Sequence, residues 1–315
     1  MTEPSPPYPE ARHGQRGGPE SGPTAPIPSP GTPDDDPTMP PPTPVLWARA
    51  GVVVFTGFLA VALIAATGLR REVFAGVILV MQILTVVTYT QLRKPASPTI
   101  TLVAGLVSAI SADWLVFYSH PISLDRLVYI PAIALGIAVA GQFSRGPGRE
   151  ELTVSMGSTL FLSVVVSGFA GWIGLLGKPG GQQALWTGAI AVGAAVMAAR
   201  ACDLTLPKPR INRQVPRGAF GVVIGGMVGT AVAAYSAILL EGGPTPGTAA
   251  VGGLIIGLVG VLGDLAAGYT QAGRRIAGGG VALWPVRHGL GPLLAFGVAA
   301  PVSYLLGVYY LTQGG

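Results

Sequence analysis

Nine mostly apolar stretches, near 47–69, 73–91, 99–119, 127–143, 154–176, 184–200, 219–240, 248–269 and 290–311, leave this chain few folds to choose from. Most are long enough, at about 1.5 Å of rise per residue, to cross a hydrocarbon core of roughly 30 Å as a helix with some tilt. Charge points the same way. Only 10% of the residues are charged, against roughly 25% in an ordinary soluble domain, too few to cover a water-facing surface. The expected fold is an all-α, polytopic transmembrane helical bundle of about nine spans over residues 46–315. The fourth and sixth stretches are short, so each is open to a re-entrant reading or a different merging. Glycines inside the spans, such as Gly252, Gly253, Gly257 and Gly260, are expected to let helices approach closely.

Residues 1–45 are a different material, with 15 of the 29 prolines, few aliphatic side chains and the acidic run Asp34-Asp35-Asp36. Such a segment cannot bury enough apolar surface to offset its ordering entropy, so it is expected to be a disordered, Pro-rich cytoplasmic tail. It has no apolar core of the kind a signal peptide needs. Its PxxP-like stretches would suit a protein partner of the SH3 type, and otherwise it is a solvated tail.

Lysine and arginine set the orientation. With the N-terminus inside, the inner loops carry Arg93, Lys94, Arg145, Arg149, Arg200, Lys208, Arg210, Arg213, Arg217, Arg274, Arg275 and Arg287, and the outer loops only Arg70, Arg71, Arg126 and Lys178. That imbalance predicts a multi-pass protein of the cell membrane with a cytoplasmic N-terminus and an external C-terminus. Basic loops at a membrane also favour anionic lipid headgroups. No basic stripe with interleaved aromatics appears, so nucleic acid is not an expected partner. The single cysteine, Cys202, excludes an intrachain disulfide and a Cys-rich zinc site.

The polar residues within the apolar frame are the candidate functional ones. Asp113, beside Trp114 late in the third span, is expected near the outer surface, within reach of water. The loop 200–218 carries Arg200 and Asp203, three residues apart and able to pair if the helix continues, then Lys208, Arg210, Arg213 and Arg217. Gly221 and Gly225-Gly226 follow at the start of the seventh span, where backbone N–H groups can receive phosphate. Asp264 lies in the eighth span. After it come Arg274, Arg275, a run of three glycines, and Arg287-His288 beside a second Gly-rich turn. By the charge rule all of these share one side of the membrane. Acids can hold a divalent metal and cations can take phosphates, which is the equipment for phosphoryl or nucleotidyl transfer at a lipid surface. A purely structural pairing of Asp264 with an arginine is the alternative.

In these residues the chain resembles the phosphatidate cytidylyltransferases, multi-span enzymes that join CTP to phosphatidic acid with Mg²⁺. The resemblance covers the span layout of roughly 47–311 and is concentrated in 200–295. The family has an acid after a span and then Ser-Pro-Lys-Lys-Thr-x-Glu-Gly-x-x-Gly-Gly. Asp203 stands where that acid does, and Pro216-Arg217 and Gly225-Gly226 fall in frame. The family's Gly-Asp-Leu is matched by Gly263-Asp264-Leu265, and Pro285 and His288-Gly289 lie near its closing Pro-Gly-His-Gly-Gly. Other positions depart. The family's Glu falls on Gly221, its Lys-Arg on Gln271-Ala272, its Lys-Asp on Ala277-Gly278, and its closing acids and arginine on Leu293, Leu294 and Phe296. The resemblance therefore implies Asp203 and Asp264 as catalytic and Mg²⁺-holding residues. Lys208, Arg210, Arg213, Arg217, Arg274, Arg275, Arg287, His288, Gly225 and Gly226 would bind phosphate. Two carboxylates are few for a dedicated two-metal site. The expectation is thus a weakly active or non-catalytic relative that binds an anionic lipid or a nucleotide. An active CTP-dependent lipid cytidylyltransferase is the second reading, and a transporter or membrane assembly partner the third.

Overall fold

The structure, a computed structural model, describes residues 46–119, 124–143, 152–206, 208–212, 215–276 and 283–313. The Pro-rich tail 1–45, Arg213 and the glycine run 278–280 lie outside the described residues, as does the side chain of Arg275. The chain forms α1 (Leu46–Ala66), α2 (Arg71–Arg93), α3 (Pro98–Tyr118) and a 3-10 turn (Asp125–Val128) running into α4 (Tyr129–Phe143). Then come α5 (Leu152–Gly168), α6 (Ala170–Leu176), α7 (Gly181–Thr205) and the strands β1 (Arg210–Asn212) and β2 (Val215–Gly218). The last helices are α8 (Ala219–Leu239), α9 (Pro246–Ile276) and α10 (Trp284–Gln313).

The architecture is a helical bundle of the kind expected of a multi-pass membrane protein. Among the described residues, eight helical segments are long and apolar enough to cross a membrane: α2, α3, α4 with its leading turn, α5 with α6, and α7 to α10. α1 is apolar over its 21 residues, and its described side chains cover Ala50–Ala66. Outward faces present large apolar side chains, among them Phe58, Ile110, Trp114, Val223, Met227 and Ile238. An apolar surface of that extent suits hydrocarbon rather than water. Inside, Trp172, Phe169, Phe296 and Leu290 are fully buried at the centre of one continuous core.

Both short stretches form ordinary helices. The fourth is extended by its 3-10 turn to 19 residues and the sixth becomes the 25-residue α7. The fifth breaks at Phe169, where α5 ends and α6 begins. Backbone is pressed together there, since a Cβ on Gly168 would lie 2.6 Å from the Gly297 carbonyl oxygen and one on Gly171 2.8 Å from that of Ala300. The last two helices run further than their apolar stretches: α9 has 31 residues and α10 has 30, with Pro292 and Pro301 inside it. Arg274, Arg287 and His288, expected in loops, are therefore helical. Helix propagation costs little once the first turn is in place, and neither a glycine nor a proline must end a helix that neighbours support. The basic loop after α7 folds into the antiparallel pair β1–β2, the one departure from helix and turn among the described residues.

Helices α7, α8 and α9 pack through small residues at four-residue spacing, which keeps one edge of α8 free of side chains. A Cβ on Gly225 would lie 2.9 Å from the Ala195 carbonyl oxygen, and one on Gly253 2.6 Å from that of Gly229. Close approach of this kind is how membrane helices gain van der Waals contact without a hydrophobic drive. It also brings the C-terminal end of α7, the start of α8 and the second half of α9 together. Gly253→Ala is expected to lower stability by about 1–3 kcal/mol, the cost of overpacking, whereas Gly247→Ala, with nothing within 4 Å of the new methyl group, should be neutral. Thermal unfolding of the two variants in detergent measures the difference; equal midpoints would refute the close-packing role.

Candidate functional site

Four side chains from three segments meet where those elements converge. Asp264 is 1% exposed in α9, and Asp203 is buried near the end of α7. Arg200 stands one turn before Asp203, and Arg217 lies in β2 just ahead of α8. Arg200 Nε donates to Asp264 Oδ2 at 2.8 Å, and its Nη2 donates to Asp264 Oδ1. Arg217 Nη1 donates to Asp203 Oδ2 at 2.7 Å, and its Nη2 to Asp264 Oδ2. The backbone N–H of Gly218 donates to Asp203 Oδ1 at 2.9 Å. All four carboxylate oxygens thus hold donors, and two acids balance two guanidiniums.

Glycine makes room for this network. A Cβ on Gly221 would sit 2.6 Å from Asp203 Oδ1, and one on Gly291 of α10 would sit 2.6 Å from Arg200 Nη2 and closer still to Asp264 Oδ1. The charged group is therefore sealed by bare backbone from α8 and α10. Burial works against the charge of Arg217, but Asp264 and Asp203 outweigh it and hold its pKa above the ordinary arginine value. A guanidinium fork facing a carboxylate is the geometry that best offsets the desolvation of both ions.

The two acids singled out from sequence do meet, and Arg217 joins them. Arg200 is on the same cluster, but its partner is Asp264 rather than Asp203: its side chain crosses to α9 instead of staying along α7. The remaining basic residues are dispersed. Lys208 and Arg210 are exposed at the hairpin base. Arg274 lies ten residues beyond Asp264, where its Nη1 donates to the carbonyls of Gln91 at 3.1 Å and Leu92 at 3.4 Å. It caps the C-terminal end of α2, where a cation is favoured. The carbonyl of Arg287 accepts from Gln271 Nε2. His288 lines a cavity of about 180 Å³ between α1, α2 and α10, with Phe55 and Leu84. Gly225 and Gly226 lie in the second turn of α8, where Val261 and Leu258 crowd their Cβ positions, so they act in helix packing. A glycine's part in sealing a charge, as at Gly291, could have been suspected from sequence only by placing it opposite Asp264.

Mg²⁺ does not fit this arrangement. Octahedral coordination needs carboxylate oxygens open to the ion, and those of Asp203 and Asp264 are taken by arginine and backbone donors. Among the described residues no group of three or more His, Cys, Asp or Glu side chains is placed to hold a metal. The chain matches no protein-family model, no curated protein and no solved structure.

The network makes a sharp stability forecast. Asp264→Asn leaves buried Arg217 and part-buried Arg200 short of a counter-charge and is expected to cost about 3–5 kcal/mol, while adding Arg200→Gln should restore part of that loss. Chemical unfolding of the two single variants and the double variant gives the coupling; an Asp264→Asn protein as stable as the parent would refute the pairing.

Proposed function

We propose that the chain is a cytidylyltransferase-like membrane protein, weakly active or inactive in cytidylyl transfer, that holds an anionic phosphate headgroup at the membrane surface. In this reading α1 crosses as a ninth span, the N-terminus faces the cytoplasm and the C-terminus lies outside. The observation that carries the proposal is the saturation of Asp203 and Asp264 by Arg200, Arg217 and the Gly218 N–H. Where the resemblance sets a glutamate, this chain has Gly221, and even a Cβ there would intrude on Asp203. Acids that would ligate metal in an enzyme of that family here tie α7, β2 and α9 together.

Phosphate recognition then rests on the cations outside the network. Lys208 and Arg210 are exposed at the hairpin that leads into α8. Such cations at a membrane surface favour anionic lipid by roughly 1 kcal/mol each. Phosphatidic acid and the phosphates of CTP share that chemistry. Active transfer is the second reading, favoured by the convergence of both acids in one place; it requires Arg200 or Arg217 to swing away when CTP and Mg²⁺ arrive.

Purified full chain should form little or no CDP-lipid from CTP, Mg²⁺ and phosphatidic acid above a protein-free control. Phosphatidic acid added to phosphatidylcholine nanodiscs should raise the unfolding temperature, and Lys208→Gln with Arg210→Gln should remove most of that rise. A rise with CTP alone would assign the phosphate site to nucleotide. Many turnovers per protein, abolished by Asp264→Ala, would overturn the proposal in favour of the active enzyme, and the absence of both turnover and any response to either ligand would sink both.

A further inference from the structure

A second buried acid lies far from the arginine network. Asp113 of α3, expected to reach water, is instead 8% exposed and turned inward. Its Oδ1 accepts from Gln82 Nε2 of α2 at 2.8 Å, and the same amide nitrogen donates to the Val166 carbonyl of α5 at 3.1 Å. With two acceptors facing it, that end of the Gln82 amide must be the NH₂. Its oxygen therefore points elsewhere, and both Gln82 Oε1 and Asp113 Oδ2 are buried without a hydrogen-bond partner.

A third orphan stands in the same seam. Ser155, Thr159, Ser163 and Ser167 follow one another at four-residue intervals along α5, all buried. Thr159 meets Thr101 of α3 at 2.9 Å, and Ser163 meets Ser108 of α3 at 2.7 Å. Both helices climb in the same sense through these two rungs. The next turn brings Ser167 to the level of Ala112 and Asp113, and its Oγ is likewise buried and unpartnered. Gln82 of α2, Asp113 of α3 and Ser167 of α5 thus each leave one buried oxygen without a partner.

Counter-charge is lacking. Among the described residues no cation lies within ion-pair distance of Asp113. Helices α5 and α6 contain no ionisable side chain. The ionisable residues of α2 are Arg71, Glu72, Tyr89 and Arg93, with Arg71 stacked over Phe117 at 4.6 Å, one turn beyond Asp113. On the other packed elements the ionisable groups are Tyr118 at the end of α3, Asp125, Arg126 and Tyr129 around the start of α4, and Arg287, His288, Tyr304, Tyr309 and Tyr310 of α10. An ionised carboxylate in an apolar bundle is costly without a partner. A protonated carboxyl is a donor.

We propose that Asp113 is a proton-binding site within the bundle: a carboxylic acid at neutral pH whose Oδ2–H is the donor for Gln82 Oε1. One proton removes the charge and turns one of the two orphan acceptors, Asp113 Oδ2, into a donor for the other, Gln82 Oε1. The ligand class is a single positive charge taken up from water, with the proton rather than a metal cation as its source. This site shares no residue with the arginine network and stands independently of the phosphate reading.

Infrared difference spectra of full chain in phosphatidylcholine liposomes test it at pH 7. The parent minus Asp113→Asn should show one protonated-carboxyl C=O band that shifts in D₂O. The band should be unchanged in Arg71→Gln and on exchanging Na⁺ for choline. Loss of a carboxylate band instead would show an ionised Asp113 and overturn the proposal. A C=O band that appears only when Na⁺ is removed would overturn it in favour of a bound metal cation. Should Asp113→Asn fail to fold, ¹³C-aspartate spectra of the unsubstituted chain read the same state: one acid-form carboxyl supports the proposal, none refutes it.

Discussion

Two carboxylates sharing two guanidiniums hold together the half of this protein in which its chemistry is concentrated. Taken singly, any of the four charges would be untenable among apolar helices. Together they are neutral, each oxygen is engaged, and Arg217 links both acids. The network joins α7 and the β1–β2 hairpin that follows it to α9, 47 to 64 residues further along the chain. Removing one member harms more than its own bonds, because it strands a charge where water cannot follow.

The network can exist only because backbone comes unusually close to it. Gly221 and Gly291 present bare Cα atoms to Asp203 and Asp264, so α8 and α10 shut out water without adding side chains. The same economy runs along the α7–α8–α9 seam, where small residues bring the helix axes near enough for short side chains to meet. Close packing and ion pairing are therefore one construction. That construction also bears on function, since acids so thoroughly engaged are poorly placed to hold a metal.

The bundle treats its two kinds of buried acid differently. Asp264 is neutralised by cations from other segments. Asp113 has only an amide as its hydrogen-bond partner, and its other oxygen has none. In a medium that penalises charge, the first solution suits a permanent tie and the second suits a group whose charge is removed by a proton.

The helical class and the positions of the spans were legible in the residues themselves, because apolar runs of membrane length and a shortage of charge admit few folds. The convergence of Asp203 and Asp264 at one end of the bundle was legible too, through charge asymmetry. Partnership was not. Arg200 and Asp203 sit at helical spacing, yet Arg200 chooses Asp264, 64 residues away. Arg274 and His288 were grouped with the acids by the charge rule, while helical continuation carried Arg274 to the end of α2 and His288 to a separate cavity. Asp113 looked solvated because it lies near a span's end; the rotation of α3 against α2 and α5 turned it inward. Hydrophobic length is a property each segment carries alone, so sequence determined which segments could enter a membrane. Which charge meets which counter-charge depends on helix rotation and on the closeness that glycines permit, and that was decided only when the helices packed.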